Sequence, residues 1–192
     1  MAKYPVVVYG ACGYIGMLIM DWLIDQQIPF TAVARSAKRV KEMMAQRVVR
    51  LESATYEVIE AEHDVESLTR AFKDAKVVCN TVGPFVHFGL TAVEAALKAG
   101  CHHIDTTGEQ AYMRDVREQF GDLYAQAGLL VSPSIAYMYS FSEIAAELAL
   151  ETHGVDALET AALCRGPRDV AGVSVGSAAS IFELFRSEQN YL

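Results

Sequence analysis

An α/β fold built on a doubly wound parallel sheet is what this sequence predicts, and three observations predict it. Short β-branched runs alternate with amphipathic helical stretches along residues 4–132. The first run passes straight into a glycine-rich loop and then a helix, the way a nucleotide-binding βα unit begins. The composition, 52% hydrophobic and 21% charged over 192 residues, can bury both faces of a sheet and excludes disordered, collagen-like and low-complexity classes.

The strand candidates, in order, are 4–9 (YPVVVY), 28–34 (IPFTAVA), 56–60 (YEVIE), 76–80 (KVVCN), 101–105 (CHHID) and 128–132 (GLLVS). Helical spacing covers 14–26, 37–49, 65–73, 90–99 and 110–126 between them. Thr91 with Glu94 and Ser140 with Glu143 fit the capping box, and Gly100 fits a helix stop ahead of the fifth strand. Parallel neighbours need crossover helices, so this alternation makes a doubly wound sheet the simplest topology. The character changes after 134, with a helix near 141–151, a strand at 157–165, a turn-like loop at 166–171 and a helix over 174–187. One strand and one helix cannot bury a core alone; they extend the first sheet, pair with another subunit, or begin a second α/β domain. The last is the favoured reading: a dinucleotide-binding domain over 1–134 and part of a substrate or dimerisation domain over 135–192, within a longer protein.

Lys and Arg total 16 against 24 Asp and Glu, a net charge of −8 that argues against a nucleic-acid partner. Cys12, Cys79, Cys101 and Cys164 lie far apart without CxxC spacing and read as buried thiols of a reduced, cytoplasmic protein. Residues 4–20 carry no charge and follow Lys3, which imitates a signal peptide. Gly10, Gly13 and Gly16 in its middle, and the amphipathic continuation through Asp21 and Asp25, argue against membrane insertion there.

Residues 7–16 read VVYGACGYIG. Gly10 permits the sharp strand-to-helix turn, Gly13 lets backbone approach a pyrophosphate, and Gly16 lets the helix pack close to the strand. The amides around Cys12, Gly13, Tyr14 and Ile15 and the helix dipole then face the phosphates. The second strand ends in Arg35 and Ser36, followed by Lys38 and Arg39 with no carboxylate in reach. NAD sites use an acidic residue near this point for the ribose, whereas a 2′-phosphate calls for Arg. Residues 35–50 hold six cations (Arg35, Lys38, Arg39, Lys41, Arg47, Arg50) and one anion, Glu42, an island of net charge +5 in an acidic chain. Arg35 and Ser36 therefore point to NADP over NAD, while Lys41, Arg47 and Arg50 read as a solvated helix face. Thr81, Val82, Gly83, Pro84 and Phe85 follow the fourth strand at the ligand-binding edge and are expected beside the ribose and nicotinamide. Asp64, after the third strand, is either an adenine contact or a helix N-cap.

The GACGYIG loop, the NTVGPF turn and AGCHHIDTTGE at 99–109 together resemble the nicotinamide-binding domain of saccharopine dehydrogenase-like oxidoreductases, a Rossmann domain, over residues 4–132. The resemblance implies nicotinamide-dinucleotide chemistry and a second α/β domain that helps form the substrate cleft and often the homodimer. Ser174, Gly176, Ser177 and Ser180 resemble that domain's Ser-x-Gly-Thr-x-x-Ser helix, with Ser177 where Thr is common. Where many members carry Gly-Phe-Asp-Ser-(Ile/Val)-Pro-Ser-Asp, residues 135–143 read IAYMYSFSE. The change removes an aspartate and a proline and adds two tyrosines, which implies an aromatic-lined cleft or packing between domains.

Reducing a carbonyl or imine also needs a proton donor. The candidates are Tyr137, Tyr139 and His87, with Glu109 and His103 behind them. His102 and His103 alternate sides of a strand, so only one faces inward. Cys101, His103 and Asp105 share a side, but no fourth ligand is visible and no metal is expected. Asp105 and Glu109 read as loop anchors. No G-x-S-x-G elbow or Walker A ending occurs, which disfavours acyl transfer and nucleotide hydrolysis. The expected function is hydride transfer between NADP(H) and a small organic substrate; the alternative is an NADP-binding sensor or scaffold without turnover.

Overall fold

In the computed structural model, residues 1–47, 51–155, 157–159, 161 and 175–186 are described, apart from the side chains of 47, 51, 137–138, 175–177 and 184. The chain runs β1 (Val6–Tyr9), α1 (Tyr14–Asp25), β2 (Phe30–Ala34), α2 (Ala37–Arg47), a short 3-10 turn (Leu51–Ser53), β3 (Tyr56–Glu60), α3 (Val65–Phe72), β4 (Val77–Asn80), α4 (Phe85–Ala99), β5 (His102–Asp105), α5 (Gln110–Gln126), β6 (Val131–Ser132), α6 (Tyr137–Leu150) and α7 (Val175–Arg186). All six strands are parallel, in the order β3-β2-β1-β4-β5-β6. The order reverses between β1 and β4, which opens a crevice at their carboxyl ends.

Period-two alternation sorts the strand side chains onto two faces. Val8, Phe30 and Ala32 pack with Met17, Met20, Leu23, Val40 and Met44 under α1 and α2. Val7, Tyr9 and Val78 pack with Leu68, Phe72, Ala92 and Ala96 under α3 and α4. A third cluster of Phe85, Val93, Tyr112, Val116 and Tyr124 ties α4 to α5. Burying each large side chain contributes about 1.5–3 kcal/mol, which holds the sheet edge rigid for whatever sits on it.

Several element ends differ from the sequence expectation. Strands β1 and β2 start after Pro5 and Pro29, residues with no amide for a ladder. Helix α4 begins at Phe85 and not 90, which places Thr91 inside it and voids the Thr91–Glu94 capping box. Its N-cap is Pro84, with no local side-chain cap. The Glu109 carboxylate accepts from the Phe85 and Val86 amides at 2.9 and 2.7 Å, a tertiary cap that no local pattern reveals. Helix α6 likewise begins at Tyr137 and not 141; the Ser140 amide already donates to the Ala136 carbonyl, so Ser140 is no N-cap. Gly100 does end α4, in the left-handed region at φ 75°. Strand β6 keeps only Val131–Ser132, because Gly128 (φ 66°) and the Leu129 amide close α5 first. Of the strand expected at 157–165, residues 157–159 and 161 form none; the rest of it, the 166–171 loop, Ser174, Arg50 and Cys164 lie outside the described residues. Among the described residues, no helix is long and apolar enough to cross a membrane.

Candidate functional site

The three glycines of the first loop do different jobs. Gly10 sits at φ 92°, and a Cβ there would come within 2.5 Å of Thr81 Oγ1 and 2.9 Å of Val82 Cγ2. Gly16 is pressed on the loop, where a Cβ would lie 2.5 Å from the Gly10 carbonyl oxygen and 3.1 Å from Ala11 Cα. These two are packing glycines. Gly13 is exposed and caps α1, and a Cβ on it would meet only the Gly10 oxygen at 3.2 Å. Its own amide closes the turn on that oxygen at 2.8 Å. The first-turn amides of α1 that follow it, at Tyr14 and Ile15, are the donors this helix start could offer to an anion. That helix starts without a side-chain cap or an acidic residue, which leaves its positive end open to an anion.

One strand over, Arg35 is exposed and forms no ion pair among the described residues. Ser36 Oγ accepts from the Arg39 amide at 3.3 Å, and the Cys12 thiol contacts the Ser36 carbonyl at 3.9 Å, so the glycine loop and the β2 tip form one surface. Burial pushes the Cys12 thiol up, against the opposing charges of Arg39 and Arg35. The expectation that no carboxylate reaches this corner is corrected. Glu60 pairs in register with Ala34 across β3, and its carboxylate accepts from the Ala37 amide at 2.9 Å. It caps α2 from a neighbouring strand, which residue spacing along one segment could not show.

Asp64 turns out to be the N-cap of α3, accepting from the Ser67 amide at 2.7 Å, a bond that holds its carboxyl below the usual range. The neighbouring His63 Nδ1 lies 2.6 Å from the Tyr9 hydroxyl.

At β4, the Thr81 amide and hydroxyl donate to the Tyr9 carbonyl at 2.9 and 3.0 Å, stapling this edge to β1. The Val82 amide donates to Asn80 Oδ1, while the buried Asn80 Nδ2 has no acceptor among the described residues. Gly83 and Pro84 shape the turn, joined by a cis peptide. Phe85 points inward, 6% exposed and packed on Tyr112, so only its backbone belongs to the edge.

Behind the turn lies a buried carboxylate network. Asp105 accepts from the Thr107 and Ser134 amides at 3.0 and 3.1 Å and from the Tyr112 hydroxyl at 2.7 Å. Burial nevertheless pushes its carboxyl up, and pushes the Tyr112 phenol up as well. Of the paired histidines, His103 is the inward one; burial lowers it to about 3. Its 3.9 Å approach to Asp105 is thus that of a neutral ring and not an ion pair. Both anchors have the structural role expected of them, and Glu109 fixes the α4 start through the two amides described above.

The proton-donor candidates separate. His87, in the first turn of α4, approaches Glu183 of α7 at 3.5 Å, and a Cβ on Gly83 would lie 3.0 Å from Ser180 Oγ. Helix α7 therefore covers the Gly83–Pro84 turn with a hydroxyl and a carboxylate, and Glu183 is a group the sequence reading missed for want of any local motif. The Tyr139 hydroxyl donates to the Gly108 carbonyl at 3.2 Å, beside the β5 loop. Tyr137 opens α6, but its side chain is outside the described set. Among the described residues, no group of three His, Cys, Asp or Glu is arranged to hold a metal.

Comparison with known proteins matches residues 6–131 to the family model of the saccharopine dehydrogenase NADP binding domain. The chain is 29% identical over 138 residues to the lipid droplet localized protein of Caenorhabditis elegans, covering 68% of this chain and 32% of that protein. It is 28% identical over 148 residues to the trans-acting enoyl reductase of Mycobacterium ulcerans, covering 76% of this chain and 34% of the relative. These matches span about a third of each relative's length. Apo saccharopine dehydrogenase (L-Glu forming) from Saccharomyces cerevisiae shares the fold, with TM-score 0.62 and 18% identity, over 79% of this chain and 32% of that one.

Proposed function

The chain belongs to the saccharopine dehydrogenase NADP-binding domain family, and from that premise we propose that it holds NADP(H) in preference to NAD(H) as the dinucleotide-binding part of an oxidoreductase. The α1 first-turn amides at Tyr14 and Ile15 take the diphosphate, with Gly13 giving it room. Arg35, with Ser36, takes the 2′-phosphate as a guanidinium fork. Thr81 to Pro84 border the ribose and nicotinamide. The observation that carries this reading is the open, uncapped start of α1 lying beside an exposed Arg35 with no ion-pair partner among the described residues. Bound cofactor supplies a hydride; the protein's share is to hold the small organic substrate against it and exclude water. The name of the Mycobacterium ulcerans relative supports an enoyl compound as that substrate. His87 with Glu183, and Tyr139, are the proton sources this reading favours. In this reading α6 and α7 begin the substrate and dimerisation domain of a cytoplasmic homodimer.

A sensor without turnover is the second reading. It is favoured by one observation: the His87 and Tyr139 polar atoms are already engaged, by Glu183 and Gly108. NADPH binding without oxidation against a panel of enoyl, ketone and imine compounds would select it. The cofactor assignment is tested by calorimetric titration with NADPH and NADH. Arg35→Glu is expected to weaken NADPH at least about tenfold and NADH less than about threefold; equal losses would remove the 2′-phosphate assignment.

A further inference from the structure

Helix α1 is apolar nearly all the way round, yet one side of it is open among the described residues. Its 12 residues carry two charges, Asp21 and Asp25, both towards its C-terminal end. Met17, Met20, Leu23 and Ile24 face the sheet and are buried. On the opposite side Tyr14, Leu18 and Trp22 follow one another at a spacing of four and stand 55%, 50% and 58% exposed. A helix that is apolar all round is ordinarily buried all round. Single exposed apolar residues are common, but two aromatics around a leucine make a continuous ridge about 12 Å long.

The layer beside the ridge is cationic. Helices α1 and α2 cover the same face of the sheet, since Met17 and Met20 share one cluster with Val40 and Met44. Both helices follow the carboxyl ends of their strands, so their first turns lie at one edge of that layer. On α2, Val40 and Met44 point inward while Lys38, Arg39 and Lys41 are exposed. Glu42 is the one carboxylate among them and approaches Lys38 at 3.8 Å. Three cations against one anion contrast with the net charge of −8 on the whole chain. The two carboxylates of α1 lie away from the start of α2.

A convex ridge offers no pocket for a small molecule. Tryptophan and tyrosine around an aliphatic residue suit a boundary that is apolar on one side and wet on the other. Cations alongside match anionic headgroups. A second copy docked by the same face would instead bring two cation rows together. We propose that the outer face of α1 and α2 docks on an anionic lipid surface. Tyr14, Leu18 and Trp22 enter the headgroup layer, and Lys38, Arg39 and Lys41 meet the headgroup charges. The Tyr14 side chain serves here and its backbone amide in the cofactor reading, so the two readings stand or fall separately.

The test uses the full chain, with Trp22, its only tryptophan, as the reporter. With vesicles of phosphatidylcholine holding roughly one-third phosphatidylserine, the chain is expected to co-sediment and its emission to move to shorter wavelength. Brominated acyl chains should quench that emission at least about twofold. Vesicles of phosphatidylcholine alone should bind at least about tenfold more weakly. Lys38→Gln, Arg39→Gln and Lys41→Gln together are expected to weaken binding to the mixed vesicles by about thirtyfold or more. Leu18→Ser should weaken it about tenfold. These positions are exposed, so melting temperature serves as the fold control. Should a variant melt early, quenching in the unmodified chain decides. An unmoved emission with the mixed vesicles, or equal binding to both compositions, overturns the proposal. So does an emission that shifts with protein concentration in the absence of vesicles, which assigns the ridge to a second copy.

Discussion

At the β1–β2 end of the carboxyl edge, the α1 start is uncapped and Arg35 is exposed without an ion-pair partner among the described residues. At the β4–β5 end the charges are instead buried and already bonded: Asp105 is 1% exposed with three donors on it, and Glu109 is 3% exposed with two. One end presents donors and positive charge outward; the other turns negative charge inward to hold its own backbone. A phosphate-rich ligand part needs the first arrangement, because anions are attracted by open amides and cations. On the proposed function the nicotinamide lies at the second end, where hydride transfer depends on position more than on charge.

The comparison breaks most sharply at Gly13. Gly13→Val is expected to abolish binding of NADPH and NADH alike, by about a hundredfold or more, because a branched side chain fills the phosphate approach. Its melting temperature should hardly change, since the position is extended (φ −83°, ψ 163°) and a Cβ meets only one oxygen. Titration and thermal unfolding of the same sample check both halves; lost stability together with lost binding would make Gly13 a packing glycine like Gly16.

The inward end is probed next by acid. His103 titrates near 3 when folded but near 6.5 when unfolded, so the unfolded chain binds the extra proton between those values. Its neutral burial therefore contributes fully above 6.5 and loses ground as pH falls towards 3. Between pH 7 and 4.5 this amounts to roughly 2–3 kcal/mol. Urea unfolding at the two pH values should show a drop smaller by that amount in His103→Leu.

Glu109→Gln is expected to cost about 2 kcal/mol in urea unfolding, because one of the two α4 amides then faces an NH₂ donor. An unchanged midpoint would mean that the helix start does not depend on this carboxylate. The smallest effect sharpens the outward end. Glu60→Gln keeps an acceptor for the Ala37 amide but removes a negative charge near the β2 tip, so the NADPH-to-NADH affinity ratio should rise by about threefold. No change in the ratio would show that Glu60 only caps α2.

What was legible in the chain was whatever is carried by neighbours in sequence. Six strand positions, the helix periods, the Gly100 stop and the tight packing at Gly10 and Gly16 follow from side-chain period and from the steric needs of one short loop. The start of α4 was not legible, since its cap comes from Glu109, 24 residues on. Neither was Glu60 at the Arg35 corner, nor Glu183 above His87. In each case a carboxylate acts on a segment that is distant along the chain.

By itself, then, the sequence determined a parallel sheet with a glycine-rich turn into a helix at its first strand, because period-two and period-3.6 patterns and glycine sterics are local properties. Only the tertiary structure decided which carboxylates reach which amides, where α4 and α6 begin, and that Tyr9 meets His63 across 54 residues. Those outcomes depend on strand order and register, which bring together groups that share no stretch of sequence.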